Sequence, residues 1–134
     1  MKAGGQAPGT YFQTKWRTLI RSPISIVSRS SAPSSGPAYV FYFLEALEQA
    51  ALELGFAEAD ARRLAYATFA GSVKLAQASS LDPATLRAQV TSKGGTTERG
   101  VATLDAGSVR QTFIDAVKAA AARAQELGAA SGKD

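Results

Sequence analysis

The chain has 134 residues, 46% of them hydrophobic, which is enough to bury one core and too short for two ordinary domains. It contains no cysteine and no histidine. That excludes disulfides, thiolate nucleophiles, imidazole bases and the usual zinc ligands, so any catalysis would rest on a hydroxyl, a lysine, a carboxylate or a cofactor. The net charge of +4 is unevenly spread. Residues 1 to 36 carry Lys2, Lys15, Arg17, Arg21 and Arg29 with no acid, whereas the remainder holds ten basic and eleven acidic residues. The chain from residue 37 onward is near neutral, and no nucleic-acid partner is expected of it.

Residues 1 to 34 are rich in Arg, Ser, Gly and Pro and poor in acid, and Gly4, Gly5, Pro8, Gly9 and Pro23 break any sustained helix. The segment reads as a disordered or non-native leader rather than an amphipathic transit peptide. No apolar run approaches the ~20 residues needed to cross a bilayer. The expectation is a cytoplasmic protein with no membrane partner.

A first helix is predicted to start at Ser35-Gly36-Pro37, with proline in its first turn, and to stop before Gly55. Its apolar stripe is Val40, Phe43, Leu44, Leu47, Ala51 and Leu54, opposite Glu45, Glu48, Gln49 and Glu53. From Tyr39 to Leu44 every residue is apolar or aromatic, so this half has no solvent side. Its own fold or a second chain must enclose it.

A second helix is predicted from about Ala59 to Ala78, with Leu64, Phe69, Val73 and Leu75 as bulky apolar residues and Gly71 inside it. A glycine there costs ~1 kcal/mol relative to alanine, and close helix packing is the expected offset. Asp82-Pro83 then starts a short helix reaching about Val90. Thr96 or Thr97 is expected to cap a fourth helix that stops at Gly107, and Ser108 with Gln111 has capping-box spacing for the last helix, ending near Gly128. In that helix Phe113, Val117, Ala120, Ala124 and Leu127 form a narrow seam that requires a partner helix. Residues 129–134 read as a frayed tail. No segment alternates as a strand does, so the fold class is all-α.

The stretch Thr91-Ser92-Lys93-Gly94-Gly95-Thr96-Thr97-Glu98 joins a helix-ending glycine pair to a helix-starting threonine pair. Such a junction is either a plain helix connector or an anion site. Glycines permit positive backbone dihedrals and close approach, and the unpaired N–H groups of the next helix suit a small carboxylate.

Taken with Ser35-Gly36-Pro37-Ala38-Tyr39-Val40-Phe41, Leu52-Glu53-Leu54-Gly55 and Ala124-Gln125-Glu126-Leu127-Gly128, this stretch makes residues 35–128 resemble the C-terminal dimerisation domain of pyrroline-5-carboxylate reductase. That family carries Ser-Gly-Ser-Gly-Pro-Ala-Tyr and Val-Thr-Ser-Pro-Gly-Gly-Thr-Thr at about this separation. The resemblance implies a helical bundle intertwined with its copy as a homodimer. It implies NADPH or NADH as the hydride donor for reducing 1-pyrroline-5-carboxylate to L-proline, with the cofactor on a separate Rossmann domain. It also implies that the backbone of Gly94, Gly95, Thr96 and Thr97 holds the substrate carboxylate, with Val90 beside the ring. Thr97 would supply the hydroxyl near the imine nitrogen.

The chain departs from the family pattern at two places. Lys93 stands where the family usually has proline, and Pro33-Ser34 replace the first Ser-Gly of the upstream motif. No Gly-x-Gly-x-x-Gly follows a strand, and the first 34 residues are too few for a dinucleotide domain, so no cofactor is expected on this chain. The leading expectation is a dimerisation and substrate-side domain that is inactive alone, with a complete reductase as a further partner in a mixed dimer. The alternative is a cofactor-free helical interaction module.

Overall fold

The computed structural model describes residues 32–131, with side chains described for 35–130. All regular structure among them is helical, in five elements: α1 (Ala32–Glu53), α2 (Glu58–Ala78), α3 (Pro83–Gln89), α4 (Thr96–Ala106) and α5 (Val109–Ser131). Gly36–Val117 form one compact unit, and the chain from Lys118 onward belongs to a second. The expected leader lies almost wholly outside the described residues.

Helix α1 begins at Ala32 rather than Ser35, and Pro37 lies inside it. Proline is tolerated where the N–H has no intrahelical partner, and Pro33 occupies that first-turn position instead of Pro37. The end of the helix follows the local code. Gly55 takes φ +94°, its N–H donates to the Leu52 carbonyl at 2.9 Å, and the Phe56 N–H donates to the Ala51 carbonyl at 3.1 Å. These two bonds make a Schellman motif, which satisfies carbonyls the helix leaves open.

The chain then enters α2 from Ala57, which offers no side-chain cap, with Glu58 and Asp60 in the first turn to complement the helix dipole. Arg62 joins the two helices by an ion pair to Glu48 at 3.2 Å and also meets Glu58 at 3.4 Å. The hydrogen bond and charge of Glu48 hold the Arg62 guanidinium above its ordinary range.

The buried hydrophobic side chains among the described residues are Ala51, Ala61 and Ala65. All three are small, so they suit close approach of α1 and α2 but internalise little apolar volume. Among the described residues the bulky apolar residues of α2 are not enclosed: Leu64, Val73 and Leu75 remain exposed and Phe69 is half-buried. A Cβ on Gly71 would meet nothing within 4 Å. Among the described residues, nothing packs on that glycine to offset it.

The aromatic start of α1 packs against α5. Phe113 of α5 meets Tyr39 edge-on at 5.5 Å and Phe43 in a tilted contact at 5.6 Å. Between those two residues Val40 is 42% and Tyr42 68% exposed. Among the described residues, enclosure by the chain itself, one of the two alternatives, thus reaches Tyr39 and Phe43 through Phe113.

Two helix boundaries near the C-terminus depart from expectation. Ser108 adopts φ 53°, donates its N–H to the Asp105 carbonyl at 3.0 Å, and precedes α5 directly. One residue thus both ends α4 and begins α5, and its left-handed backbone is not the extended geometry of a side-chain cap. The capping box with Gln111 is not formed: the Gln111 amide donates to Asp115 at 2.9 Å instead. Helix α5 also runs through Gly128 to Ser131, because Ala129 and Ala130 favour continuing it. Beyond Lys118, Ala120, Ala121 and Ala124 are half-buried, and Arg123 pairs with Glu126 at 2.7 Å.

Candidate functional site: the connector from Val90 to Thr97

Every expected site residue lies on the short connector between α3 and α4 or in the first turn of α4. The approach is built firmly. Asp82 caps α3, its Oδ1 accepting the N–H groups of Ala84 at 2.9 Å and Thr85 at 3.1 Å while its Oδ2 accepts the Thr85 hydroxyl at 2.7 Å. The Thr85 hydroxyl and then its N–H hold the Asp82 carboxyl below the usual carboxylate range. Helix α3 closes on Val90, whose N–H donates to the Arg87 carbonyl at 3.3 Å, and the Thr91 hydroxyl donates to that same carbonyl at 2.6 Å. Val90 itself is 62% exposed, leaving an apolar surface at the mouth of the connector.

The next four residues form a tight turn. The Gly95 N–H donates to the Ser92 carbonyl at 3.0 Å, and Gly94 has φ +73°. Lys93 does not have positive φ. A positive dihedral at the third residue only is the type II pattern, which requires glycine there and favours proline at the second position. Lys93 occupies that second position, so the turn forms without the residue that would fix it in advance. A Cβ on Gly95 would overlap the Ser92 hydroxyl and lie 3.1 Å from the Ser92 carbonyl oxygen. Each glycine therefore has a separate reason, one of dihedral and one of space.

Neither threonine caps α4. Gly95 holds the N-cap position in extended conformation, φ −85° and ψ 172°, with no side-chain cap. The turn explains the difference: it consumes the Gly95 N–H and delivers the chain into the helix immediately, so Thr96 and Thr97 are already helical. The first backbone bond of the helix runs from Arg99 N–H to the Gly95 carbonyl at 3.3 Å. The N–H groups of Thr96, Thr97 and Glu98 thus precede the ladder and carry the positive end of the helix dipole.

One residue of this site had no role in the sequence reading. The Gly94 N–H donates to Glu98 Oε2 at 2.7 Å. Glutamate in the third helical position commonly reaches back to the N-cap N–H. Here that group is already bonded to Ser92, and the carboxylate reaches one residue further. The spacing Gly-Gly-Thr-Thr-Glu carried the signal, since the last residue stands where a capping box places its acid.

Chemically, the connector offers free first-turn amides, two exposed threonine hydroxyls and an adjacent apolar residue. That arrangement suits orientation of a small carboxylate. Among the described residues no group of three or more His, Cys, Asp or Glu is placed to hold a metal, and no helix is long and apolar enough to cross a membrane.

Residues 25–127 match the family model described as pyrroline-5-carboxylate reductase dimerisation. The chain is 34% identical over 131 residues to pyrroline-5-carboxylate reductase 3 of Xenopus laevis, covering 95% of this chain and 48% of that protein. It is 44% identical over 94 residues to pyrroline-5-carboxylate reductase of Synechocystis, covering 70% and 35%. The crystal structure of Plasmodium falciparum pyrroline carboxylate reductase with NADP bound superposes with a TM-score of 0.71 at 32% identity, over 73% of this chain and 40% of that one. The chain spans less than half the length of these relatives.

Proposed function

The chain belongs to the pyrroline-5-carboxylate reductase dimerisation family, and we propose that it serves as the dimerisation and substrate-side domain of such a reductase, in the NAD(P)H-dependent reduction of 1-pyrroline-5-carboxylate to L-proline. The observation that carries this reading is the type II turn at Ser92–Gly95, which opens directly into α4 with its first-turn amides ahead of the ladder. The Thr96 and Thr97 amides receive the substrate carboxylate, rather than those of Gly94 and Gly95, which are held by Glu98 and by the Ser92 carbonyl, and Val90 lies against the ring. The Thr97 hydroxyl orients the imine nitrogen or relays its proton.

The nicotinamide supplies the hydride when bound. The described residues contain no strand and no Gly-x-Gly-x-x-Gly, so they do not fit a dinucleotide seat, and no hydride step is assigned to them. In this reading the domain proper contains residues 35–128 and is continued by α1 back to Ala32 and by α5 on to Ser131, in a cytoplasmic protein. A second copy of the chain covers the exposed apolar faces of α1 and α2, and a complete reductase pairs with it as a mixed dimer.

Sedimentation at micromolar concentration tests the pairing, with a dimer expected. Val40→Asp is the informative variant, since Val40 is exposed among the described residues. It should dissociate the dimer while leaving the Tyr39, Phe43 and Phe113 cluster intact. A well-folded monomer of the unaltered chain would sink the intertwined arrangement. For the chemistry, mixing the chain with substrate and NADPH should leave the nicotinamide absorbance unchanged, and addition of a complete reductase that requires this chain's loop should make turnover sensitive to Thr97→Ala.

Lys93 in place of proline and the Glu98 contact on the loop favour a second reading, a helical interaction module without an enzymatic role. It would be preferred if the chain dimerises and its loop amides ignore L-proline.

A further inference from the structure

We propose that Glu98 is a built-in competitor for the carboxylate received by the Gly94–Thr97 loop, an inference that rests on the substrate-side reading above. The Glu98 carboxylate already occupies one amide of this loop, accepting the Gly94 N–H at 2.7 Å. The neighbouring Gly95 N–H is spent on the Ser92 carbonyl at 3.0 Å. Of the two glycine amides, neither is open while Glu98 stays in place. The amides left are those of Thr96, Thr97 and Glu98 itself, ahead of the first helical bond at Arg99.

An incoming carboxylate meets a second negative charge within the first turn of α4. It must either displace the glutamate from Gly94 or settle on the remaining amides against like-charge repulsion. Each route lowers affinity relative to a loop without the acid. The contact also orders the turn: it ties Gly94, in its left-handed conformation, to the first turn of the helix, and so offsets the missing proline at Lys93. Glu98 thus holds the loop in shape when empty and weakens its hold on a ligand. Because its side chain lies on the surface with the Gly94 contact, release needs only a rotamer change.

The test is a titration of the isotope-labelled full chain with L-proline, followed through the backbone amide resonances of Gly94, Gly95 and Thr96. Glu98→Ala should tighten the dissociation constant about two- to fivefold and speed solvent exchange of the Gly94 amide before any ligand is added. Asp105→Asn removes the same charge further along α4, away from the loop, and should leave the constant unchanged. Unchanged or weaker binding by Glu98→Ala overturns the proposal and leaves the carboxylate reading standing. Equal tightening by Asp105→Asn overturns it too, since general charge would then account for the effect. Absence of proline-dependent shifts in all three proteins overturns the carboxylate reading, and the competitor with it.

Discussion

Helices α3 and α4 begin within fourteen residues of each other and solve the same problem in opposite ways, taking Pro83 and Thr96 as their first residues. At α3 the chain seals its own terminus: Asp82 supplies a carboxylate and Thr85 a hydroxyl, and the first-turn amides are satisfied internally. At α4 a glycine stands where the aspartate would be, the threonines are drawn into the helix, and the leading amides stay open. A sealed start is a structural device. The open one leaves hydrogen-bonding capacity that an external anion can use, with Glu98 contacting only the turn ahead of it.

The comparison breaks most completely if the second start is made like the first. Gly95→Asp places a side-chain carboxylate at the N-cap of α4, and proline binding monitored by amide shifts should weaken by about tenfold or more. The new Cβ also crowds Ser92, so a loss of roughly 1 kcal/mol in urea unfolding is expected alongside. Persistence of proline binding in this variant would show that the N-cap position is not part of the site.

Gly94→Ala attacks the turn rather than the terminus. With φ at +73°, an alanine there should cost about 1–2 kcal/mol, measured by chemical denaturation. A smaller loss would mean that the turn relaxes to another type.

Lys93→Pro runs the other way. The second position of a type II turn accepts proline, and no bond from the Lys93 N–H is lost, so a gain of about 0.4–1 kcal/mol is expected, mostly from the unfolded state. Destabilisation would contradict the turn assignment.

The smallest effect separates the two starts by pH. Asp82 is held below its ordinary range, so its contribution is present above the unfolded carboxylate value and fades as pH falls through the lower folded value. Amide exchange of Ala84 and Thr85 should therefore accelerate on acidification in that window, and Asp82→Asn should flatten the response.

Much of the helical layout was legible in the sequence. The spans of α2 and α3 follow from apolar periodicity and from Asp82-Pro83, and Gly55 marks a true Schellman end. The boundaries that escaped are those where one residue has two tasks. Ser108 ends one helix and begins another, so its hydroxyl never reaches a capping geometry. Gly95 closes a turn and opens a helix, so the choice between Thr96 and Thr97 as cap had no correct answer. At the site, composition identified the connector but not the reach of Glu98, because that depends on which amide the turn has already consumed. The sequence pattern also marked apolar faces without telling which of them the chain would cover itself. Leu64, Val73 and Leu75 are bulky and apolar, and they lie exposed among the described residues.

The three buried alanines, Ala51, Ala61 and Ala65, bear on how such a chain is to be handled. With so little apolar volume internalised among the described residues, most of their stabilisation under the proposed pairing comes from association, and folding becomes bimolecular. Its melting temperature is then a function of chain concentration rather than a fixed constant, rising as the solution is concentrated and falling on dilution. A dilute preparation and a crowded one would differ in the fraction folded, although not one residue differs between them.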